Sequence, residues 1–281
     1  MLPSNNLYHY TSAAALFGII EGKSIWASNI NYLNDEKEYV YTVELLRPHL
    51  EKLKRESSNK GLVEQLVQWI EKAEGGPTYV TSLSSQPNIL SQWRAYCRNG
   101  GFSIGFTRDG LQEIVERCGL TLTQCIYDRE KQEEKVVSFV DGLASAISSE
   151  GQAISSREGA HQFYANNVYK QLIMLANEIK HPAFHQEEEW RLVKLFVPAN
   201  DPNLKYRPGN AMLVPYFEIN LLPPAEESEK FLPISDVCVG PHKNSNLSEK
   251  TLRTFLAGQT TECSGSPHVK VWQSEIPFRQ I

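Results

Sequence analysis

Three consecutive carboxylates, Glu187, Glu188 and Glu189, stand immediately before an apolar, strand-like segment that contains Arg191. A strand through this run would turn Glu187 and Glu189 to one face and Glu188 to the other. If that face lined a cleft, mutual repulsion would raise one pKa, and one glutamate could hold a sugar hydroxyl beside a developing positive charge. The alternative is an exposed acidic turn in which Arg191 is a salt-bridge partner.

A histidine opens a second candidate segment. His9 is followed by Tyr10 and Thr11, just before a helix that Ser12 can cap. A histidine at the end of a strand can donate a hydrogen bond into a cleft, and the start of a helix has free N–H groups that suit a phosphate or a ribose hydroxyl. The alternative is a structural histidine whose hydrogen bonds are satisfied within the fold.

A polar corner follows at Asn34 and Asp35. Asn-Asp is ordinary turn and N-cap chemistry, and Glu38 completes a capping box. Helix capping alone therefore explains the corner. The functional alternative places Asn34 and Asp35 beside the same cleft as His9.

Hydroxyl groups and aromatic rings make up the fourth segment. Ser82 and Ser84 occupy alternate positions of an extended stretch that begins near Tyr79, so they face the same side. Trp93 and Tyr96 follow in a short predicted helix. Together they could line a ligand cleft. The alternative is a strand end followed by an aromatic core anchor.

The elements around these motifs predict an α+β protein. A helix is expected from about residue 36, with a break or kink at Pro48. The region 130–178 is long and mostly helical. Because signals for domain boundaries are weak, the sequence predicts a single α+β domain over 1–281, with 130–178 as a helical insertion. The expected strands lie at about 78–83, 102–106, 120–127, 190–197, 212–218, 237–239 and 269–272.

Composition limits the class of protein. The 281 residues are 41% hydrophobic and carry a net charge of −5, so nucleic acid is not attracted to the protein as a whole. A local basic rim from Arg94, Arg98 and Lys180 remains an option. No apolar run approaches the about 18–20 residues that cross a bilayer, and the start does not resemble a signal peptide. Five cysteines, an odd number without a Cys-x-x-Cys pattern, predict reduced thiols, no zinc site and a cytoplasmic location.

Taken together, the order of the four segments resembles a bacterial protein family known as domain of unknown function 2971. The resemblance covers nearly the whole chain and extends to an ending like Ser274-x-x-Pro277-Phe278-Arg279. The matching residues are Tyr8 to Thr11; Asn34, Asp35 and Glu38; Ser82 and Ser84; Trp93 and Tyr96; Gly101, Gly105 and Phe106; and Lys180, Glu187, Glu189, Trp190 and Arg191.

That family is distantly similar to the ADP-ribosyltransferases, whose three strand-borne motifs are an early His or Arg, a middle Ser or Tyr, and a late Glu. His9, the Tyr79–Ser84 strand and Glu189 follow this order. The similarity implies mixed sheets around a cleft and NAD as substrate, without a metal. It also implies that His9 contacts the ribose and amide side of NAD.

The same similarity implies roles for the other motif residues. Ser82 or Tyr79 would pack at the nicotinamide, and Glu189 would bind the nicotinamide ribose and assist its transfer. Glu187 matches the outer glutamate of a Glu-x-Glu pair found in some of these enzymes. The further candidates for contact with NAD are Tyr10, Thr11, Asn34, Asp35, Ser84, Trp93, Tyr96 and Arg191.

The leading hypothesis is therefore NAD-dependent ADP-ribosyl transfer to a nucleic acid or a protein, as in a toxin or a phage-defence effector with an antitoxin or regulatory partner. The alternatives are NAD hydrolysis, removal of an RNA 2′-phosphate by NAD, a non-catalytic nucleotide-binding module, and a metal nuclease that uses the acidic run. On the leading hypothesis, Glu189→Gln abolishes transfer with the fold intact, and Glu188→Gln has little effect.

Overall fold

The computed structural model describes residues 6–32, 37–73, 76–97, 100–150, 154–209, 211–222, 232–258 and 269–277. The chain divides into two compact units, each built from separated stretches of sequence. Unit 1 comprises Met1–Ser28, Tyr79–Leu122 and Gln186–Ile281. Unit 2 comprises Asn29–Thr78 and Thr123–His185.

The described residues form a ten-stranded sheet that, apart from the last residues of β2 and β5, belongs to unit 1. Strand β10 runs parallel to β9, whereas β1 is antiparallel to β4, so the sheet is mixed and the predicted α+β class is confirmed. The strands are β1 (Leu7–Thr11), β2 (Ser24–Asn29), β3 (Tyr79–Ser84), β4 (Phe102–Phe106), β5 (Thr121–Gln124), β6 (Glu189–Lys194), β7 (Leu204–Pro208), β8 (Leu213–Asn220), β9 (Ile234–Val239) and β10 (Lys270–Gln273).

The helices alternate between the two units along the chain. Unit 1 holds the first, fourth, fifth and ninth helices, and unit 2 holds the others. In chain order they are α1 (Ala13–Gly22), α2 (Lys37–Glu56), α3 (Lys60–Lys72), α4 (Leu90–Tyr96), α5 (Arg108–Cys118), α6 (Arg129–Ser149), α7 (Arg157–Tyr164), α8 (Lys170–Glu178) and α9 (Ser245–Gly258).

Strand β3 is the point at which the sheet branches. β6 pairs with β3 along its whole length, from Tyr79 to Ser84. A strand has two edges, so β1 and β2, which also pair with β3, share the other edge. The register of β1 on β3 consists of the single pair Tyr8–Ser84. Beyond β3 the sheet therefore continues as two arms, β1-β4-β9-β10 and β2-β8-β7.

One face of the sheet in unit 1 is apolar. Alternate strand residues such as Leu7, Leu83, Ile104 and Leu192 are at most 3 % exposed and pack in one core with Ile20 of α1. The α1 helix begins where predicted, because the Ser12 side chain accepts a hydrogen bond from the backbone N–H of Ala15. Ser82, Ser84, Glu189 and Arg191 project from the opposite face, whereas the motif residue His9 is paired with Ile104 and projects from the apolar face.

Unit 2 is helical. Its helices α6, α7 and α8 occupy the region 130–178 for which the sequence predicts a helical insertion, and α7 continues into α8 through a π-helical turn, Ala165–Tyr169. α2 runs through Pro48 without a break. Leu46 and Leu50 flank this proline and are almost completely buried, which offsets the backbone hydrogen bond that a proline removes. Within the described residues, no helix has the length and apolarity that a bilayer crossing requires.

Candidate functional site

The ladder between β3 and β6 brings four of the predicted site residues together. Ser84 lies opposite Glu189, and Ser82 lies opposite Arg191. Residues that pair directly across an antiparallel ladder project from the same face, with Cβ atoms about 4.5–5.5 Å apart. Ser84, Glu189 and Arg191 are buried, and Ser82 is half-buried. Two hydroxyls, a carboxylate and a guanidinium therefore share one face.

Glu189 is held by Arg191, its neighbour on the same face of β6. The guanidinium donates from Nε to Glu189 Oε1 over 2.9 Å and from Nη2 to Oε2 over 3.2 Å. Only 3 % of the Arg191 side chain and 5 % of the Glu189 side chain is exposed. Because arginine stays protonated, this two-point contact holds an ionised carboxylate in one orientation.

The two glutamates before Glu189 are not part of the strand. Glu187 ends a 3-10 helical segment, Pro182–Glu187, and Glu188 has a left-handed backbone with φ 43°. The predicted alternation of the three carboxylates across a strand is therefore wrong, because the chain turns at Glu188 and the strand begins at Glu189.

This turn is fastened to the end of β3. The Ser84 hydroxyl donates to the Glu187 carbonyl over 2.7 Å, and the Ser85 N–H donates to the Glu188 carbonyl over 3.1 Å. The exposed Glu188 carboxylate accepts hydrogen bonds from the Ser85 hydroxyl and, over 2.9 Å, from the Gln86 amide. Ser84 and Glu188 thus position the first residue of β6.

His9 reaches β3 from the branch of the sheet. Its Nδ1 lies 3.0 Å from the Ser82 carbonyl oxygen. A carbonyl only accepts, so Nδ1 carries the proton and Nε2 is left as an acceptor. Burial lowers the pKa of His9, against the opposing effect of this hydrogen bond, so the ring is neutral at neutral pH. His9 is a neutral imidazole whose Nε2 has no partner among the described residues.

His9 and Glu189 lie on neighbouring strands but on different faces. Tyr8 pairs with Ser84, which shares the face of Glu189, and the next residue along β1 projects from the opposite face. The strands that carry the three motifs are neighbours, as predicted, because β1 and β6 both pair with β3. The prediction that His9 and Glu189 line one cleft is therefore wrong, because the two side chains project from opposite faces of the sheet.

Four predicted contact residues prove to belong to the buried framework of the fold. Trp93 is fully buried, donates from Nε1 to Asn88 over 2.7 Å and packs edge-on against Tyr10 with ring centroids 4.7 Å apart. The Tyr10 hydroxyl donates to the Gln86 carbonyl over 2.8 Å, which ties the 86–89 segment to β1. These rings are unavailable to stack on a ligand, because they are enclosed.

Thr11 and Tyr79 complete this group, whereas Tyr96 does not belong to it. The buried Thr11 accepts the Cys97 thiol at its backbone carbonyl, 3.4 Å away. Tyr79 belongs to the apolar core, where its ring lies 6.4 Å from that of Phe217. Tyr96, by contrast, is 49 % exposed at the end of α4 and is accessible to a ligand.

Other predicted positions fall elsewhere. Asn34, Asp35 and Arg98 lie outside the described residues. Lys180 belongs to unit 2, where it is buried with its Nζ 3.3 Å from Glu38 Oε1. Within the described ranges, His, Cys, Asp and Glu side chains form no group of three that could hold a metal ion.

A buried carboxylate that the sequence analysis overlooked lies on the same face as Glu189. Asp236 of β9 accepts hydrogen bonds from the Ser235 hydroxyl over 2.7 Å and from the Trp272 indole over 3.0 Å, and the Tyr8 hydroxyl lies 3.5 Å away. These donors are neutral. Paired positions place Asp236, Gly105, Tyr8, Ser84 and Glu189 in one row across β9, β4, β1, β3 and β6.

Gly105 is the position at which this row has no room for a side chain. A Cβ there would lie 2.6 Å from Asp236 Oδ1 and 2.7 Å from Tyr8 Cε1. We expect Gly105→Ala to destabilise the protein by about 1–3 kcal/mol, because both neighbours are buried. Urea unfolding measures this loss. Gly142→Ala is the control, since Gly142 lies in α6 with nothing within 4 Å and should gain about 0.5–1 kcal/mol. Equal stability of Gly105→Ala and wild type would contradict the packing described.

Comparison with known protein families finds one match, which covers Glu189 and Arg191 of this site but not Ser82 or Ser84. The model of the family described as "Protein of unknown function (DUF2971)" matches residues 92–192. The match includes Trp93, Gly105 and Glu189, and it excludes β1 and β3. No curated protein and no solved structure matches the chain. Over residues 92–192, just over a third of its length, the chain thus carries the sequence pattern of the DUF2971 family.

Proposed function

We propose that unit 1 binds NAD at the branch of the sheet, cleaves its nicotinamide–ribose bond and transfers the ADP-ribose. The observation that carries the proposal is the hydrogen-bonded order β1-β3-β6, which sets Glu189 opposite Ser84 and His9 against Ser82. The three neighbouring strands carry the three motifs whose order along the chain resembles that of the ADP-ribosyltransferases.

The chemistry asked of Glu189 is electrostatic. Departure of nicotinamide leaves an oxocarbenium-like sugar, and a fixed carboxylate lowers the energy of that charge without having to reorganise. The contact with Arg191 supplies the fixed orientation. Each carboxylate oxygen has two lone pairs, and the proposal requires a ribose hydroxyl to donate to one of them beside the guanidinium.

His9 and the serines take positioning roles in this proposal. His9 projects from the face opposite Glu189, so it would act on this site through its hydrogen bond to the Ser82 carbonyl. The Ser82 hydroxyl has no partner among the described residues and would pack at the nicotinamide. Tyr96 is the accessible aromatic side chain of the predicted set, whereas Trp93 and Tyr10 act through the framework.

The same ion pair favours a second function, the binding of a nucleotide without turnover. Arg191 offsets much of the negative charge of Glu189, and a carboxylate so paired stabilises a sugar cation less than a free one. A nucleotide-binding module without turnover would keep the same contacts. Hydrolysis of NAD and removal of an RNA 2′-phosphate remain variants of the first proposal that differ in the acceptor.

One incubation separates these outcomes. The purified protein is mixed with NAD that is labelled in its adenylate phosphate, together with cell extract, and the products are digested separately with protease, DNase and RNase. We expect macromolecular label that is sensitive to one digestion, which names the acceptor. Free ADP-ribose as the sole product indicates hydrolysis. Intact NAD together with saturable binding indicates the non-catalytic module, and intact NAD without binding contradicts both.

A further inference from the structure

The second arm of the sheet presents a stacked aromatic pair. In the β2–β8 register Trp26 lies opposite Glu218 and Ser28 lies opposite Tyr216, so Trp26 and Tyr216 are diagonal neighbours on one face. Their ring centroids are 4.2 Å apart with an angle of 26°. Trp26 is 47 % exposed, whereas Tyr216 is 8 % exposed. Tyr216 therefore supports the indole from below, and the outer side of the indole is open.

Two cations stand beside this pair on the edge strand. Lys205 lies opposite Tyr216 and Arg207 lies opposite Val214, so both project from the same face as the rings. Two residues along a strand are separated by about 6.8 Å. Neither cation has an ion-pair partner within the part of the chain that the structure describes, so both charges are available to a ligand.

Among the residues of this face that pair across β2, β8 and β7, the one carboxylate is Glu218, which lies away from the two cations. Glu218 is opposite Trp26, two residues beyond Tyr216 along β8, and it accepts the Ser24 hydroxyl over 3.4 Å. Going across the strands, the face thus runs from the cations of β7 to the aromatic rings of β8 and β2. We call Trp26, Tyr216, Lys205 and Arg207 the aromatic–basic face.

We propose that the aromatic–basic face binds single-stranded nucleic acid, with bases stacked on Trp26 and phosphates held by Lys205 and Arg207. Proteins that bind single strands combine a cationic track for the backbone with aromatic rings on which bases stack. An open sheet face that carries aromatic side chains is a common platform for this. A duplex does not fit, because its bases are stacked on one another and expose no ring faces within the helix.

The proposal is independent of NAD chemistry. It rests on a face of unit 1 formed by β2, β8 and β7, and none of its four residues is assigned a role at the branch of the sheet. The net charge of −5 does not oppose it, because two neighbouring cations act over a Debye length of about 10 Å. With two cations, binding should be modest in strength and sensitive to salt.

Fluorescence anisotropy with labelled single strands tests the proposal. Oligouridylate and oligothymidylate of about 12 nucleotides are titrated with wild-type protein at several salt concentrations. We expect Trp26→Ala to weaken binding about 10-fold, the loss of one stacked base. Replacing both Lys205 and Arg207 by glutamine should lower the slope of log affinity against log salt by about 1.4. Trp26→Phe should retain most of the affinity.

Tyr206→Ala is the matched control. Tyr206 is 58 % exposed and lies between Lys205 and Arg207 on the same strand, but it projects from the other face. It should bind as wild type does, and circular dichroism should show all variants folded. Equal binding of the two oligonucleotides indicates recognition by stacking and phosphate, and preference for oligouridylate adds contact with the 2′-hydroxyl; both support the proposal.

Several results would overturn it. These are failure of the wild type to bind at low salt, unchanged affinity of Trp26→Ala, equal losses in Trp26→Ala and Tyr206→Ala, and competition by duplex as strong as by single strand. Self-association through the edge strand β7 in place of oligonucleotide binding, seen by sedimentation, would show that this face joins copies of the chain.

Discussion

Glu189→Gln is expected to destabilise the protein by about 3–5 kcal/mol and to slow nicotinamide release from NAD by about 10²–10³-fold. The first effect follows from the buried pair, because Arg191 keeps its charge, is 3 % exposed and loses the carboxylate to which it donates two hydrogen bonds. The second follows from the proposed role of the carboxylate. The sequence alone predicts an inactive variant with an intact fold, and the buried ion pair adds an expected loss of stability. Urea unfolding and quantification of free nicotinamide measure the two effects.

A double variant separates stability from chemistry. Replacing Glu189 and Arg191 together by methionine removes both charges while keeping much of the volume, and such exchanges of buried pairs are often neutral or stabilising. We expect the double variant to recover most of the stability that Glu189→Gln loses, without recovering turnover. Recovery of both would show that Glu189 acts only as a structural partner of Arg191.

Trp93→Ala is expected to destabilise the protein by about 3–5 kcal/mol, as for other large aromatic side chains in a core. Trp93 is fully buried and holds Tyr10 and Asn88, and a Cβ on Gly240 would lie 2.9 Å from its ring. Its loss leaves a cavity and removes one of the two hydrogen bonds that Asn88 Oδ1 accepts, the other coming from the Ser274 hydroxyl. Thermal and urea unfolding measure the effect.

The second aromatic residue of that motif provides the contrast. Tyr96 lies three residues further along α4 and is 49 % exposed, so Tyr96→Ala should cost less than about 1 kcal/mol. Trp93→Phe should fall between the two alanine variants because it fills part of the cavity. Equal stability of Trp93→Ala and Tyr96→Ala would refute the assignment of Trp93 as a core anchor.

The positions of the motif strands were predictable because their patterns are local. The alternation around Ser82 and Ser84, the cap at Ser12 and the apolar run after Glu189 each indicate an element without knowledge of its neighbours. The pairing of β1 with β3 and of β3 with β6 is non-local. We could predict that these strands are neighbours only from the resemblance to a family whose motifs occur in the same order along the chain.

The failed and missing predictions share a physical cause, which is that partners distant in sequence decide them. The burial of Asp236 could not be predicted from its own strand, because its contacts with the Trp272 indole and the Tyr8 hydroxyl come from distant parts of the chain. Glu188 turns out of the strand because Ser85 and Gln86 bind its carboxylate. Its left-handed backbone has no signature in a run of three identical residues.

The edge strand β7 illustrates the limit of hydrophobic patterning. Leu204–Pro208 pairs with β8 on one side, and Lys205, Tyr206 and Pro208 are exposed. A half-solvated edge strand has no apolar alternation to detect, and proline at its end is typical of edges. The aromatic–basic face could not be predicted from the sequence, because it depends on the pairing register of β2, β8 and β7.

The most direct test of the central claim is nicotinamide release from NAD, measured in the presence of cell extract as a source of acceptors. Wild-type protein and Glu188→Gln are predicted to release nicotinamide at similar rates, because glutamine removes the charge one residue away but keeps a side-chain oxygen that can accept from Ser85 and Gln86. The folded Glu189/Arg191 double methionine variant is predicted to be at least about 100-fold slower. Nicotinamide release by the double variant at the wild-type rate, or intact NAD after incubation with folded wild-type protein, would contradict the account.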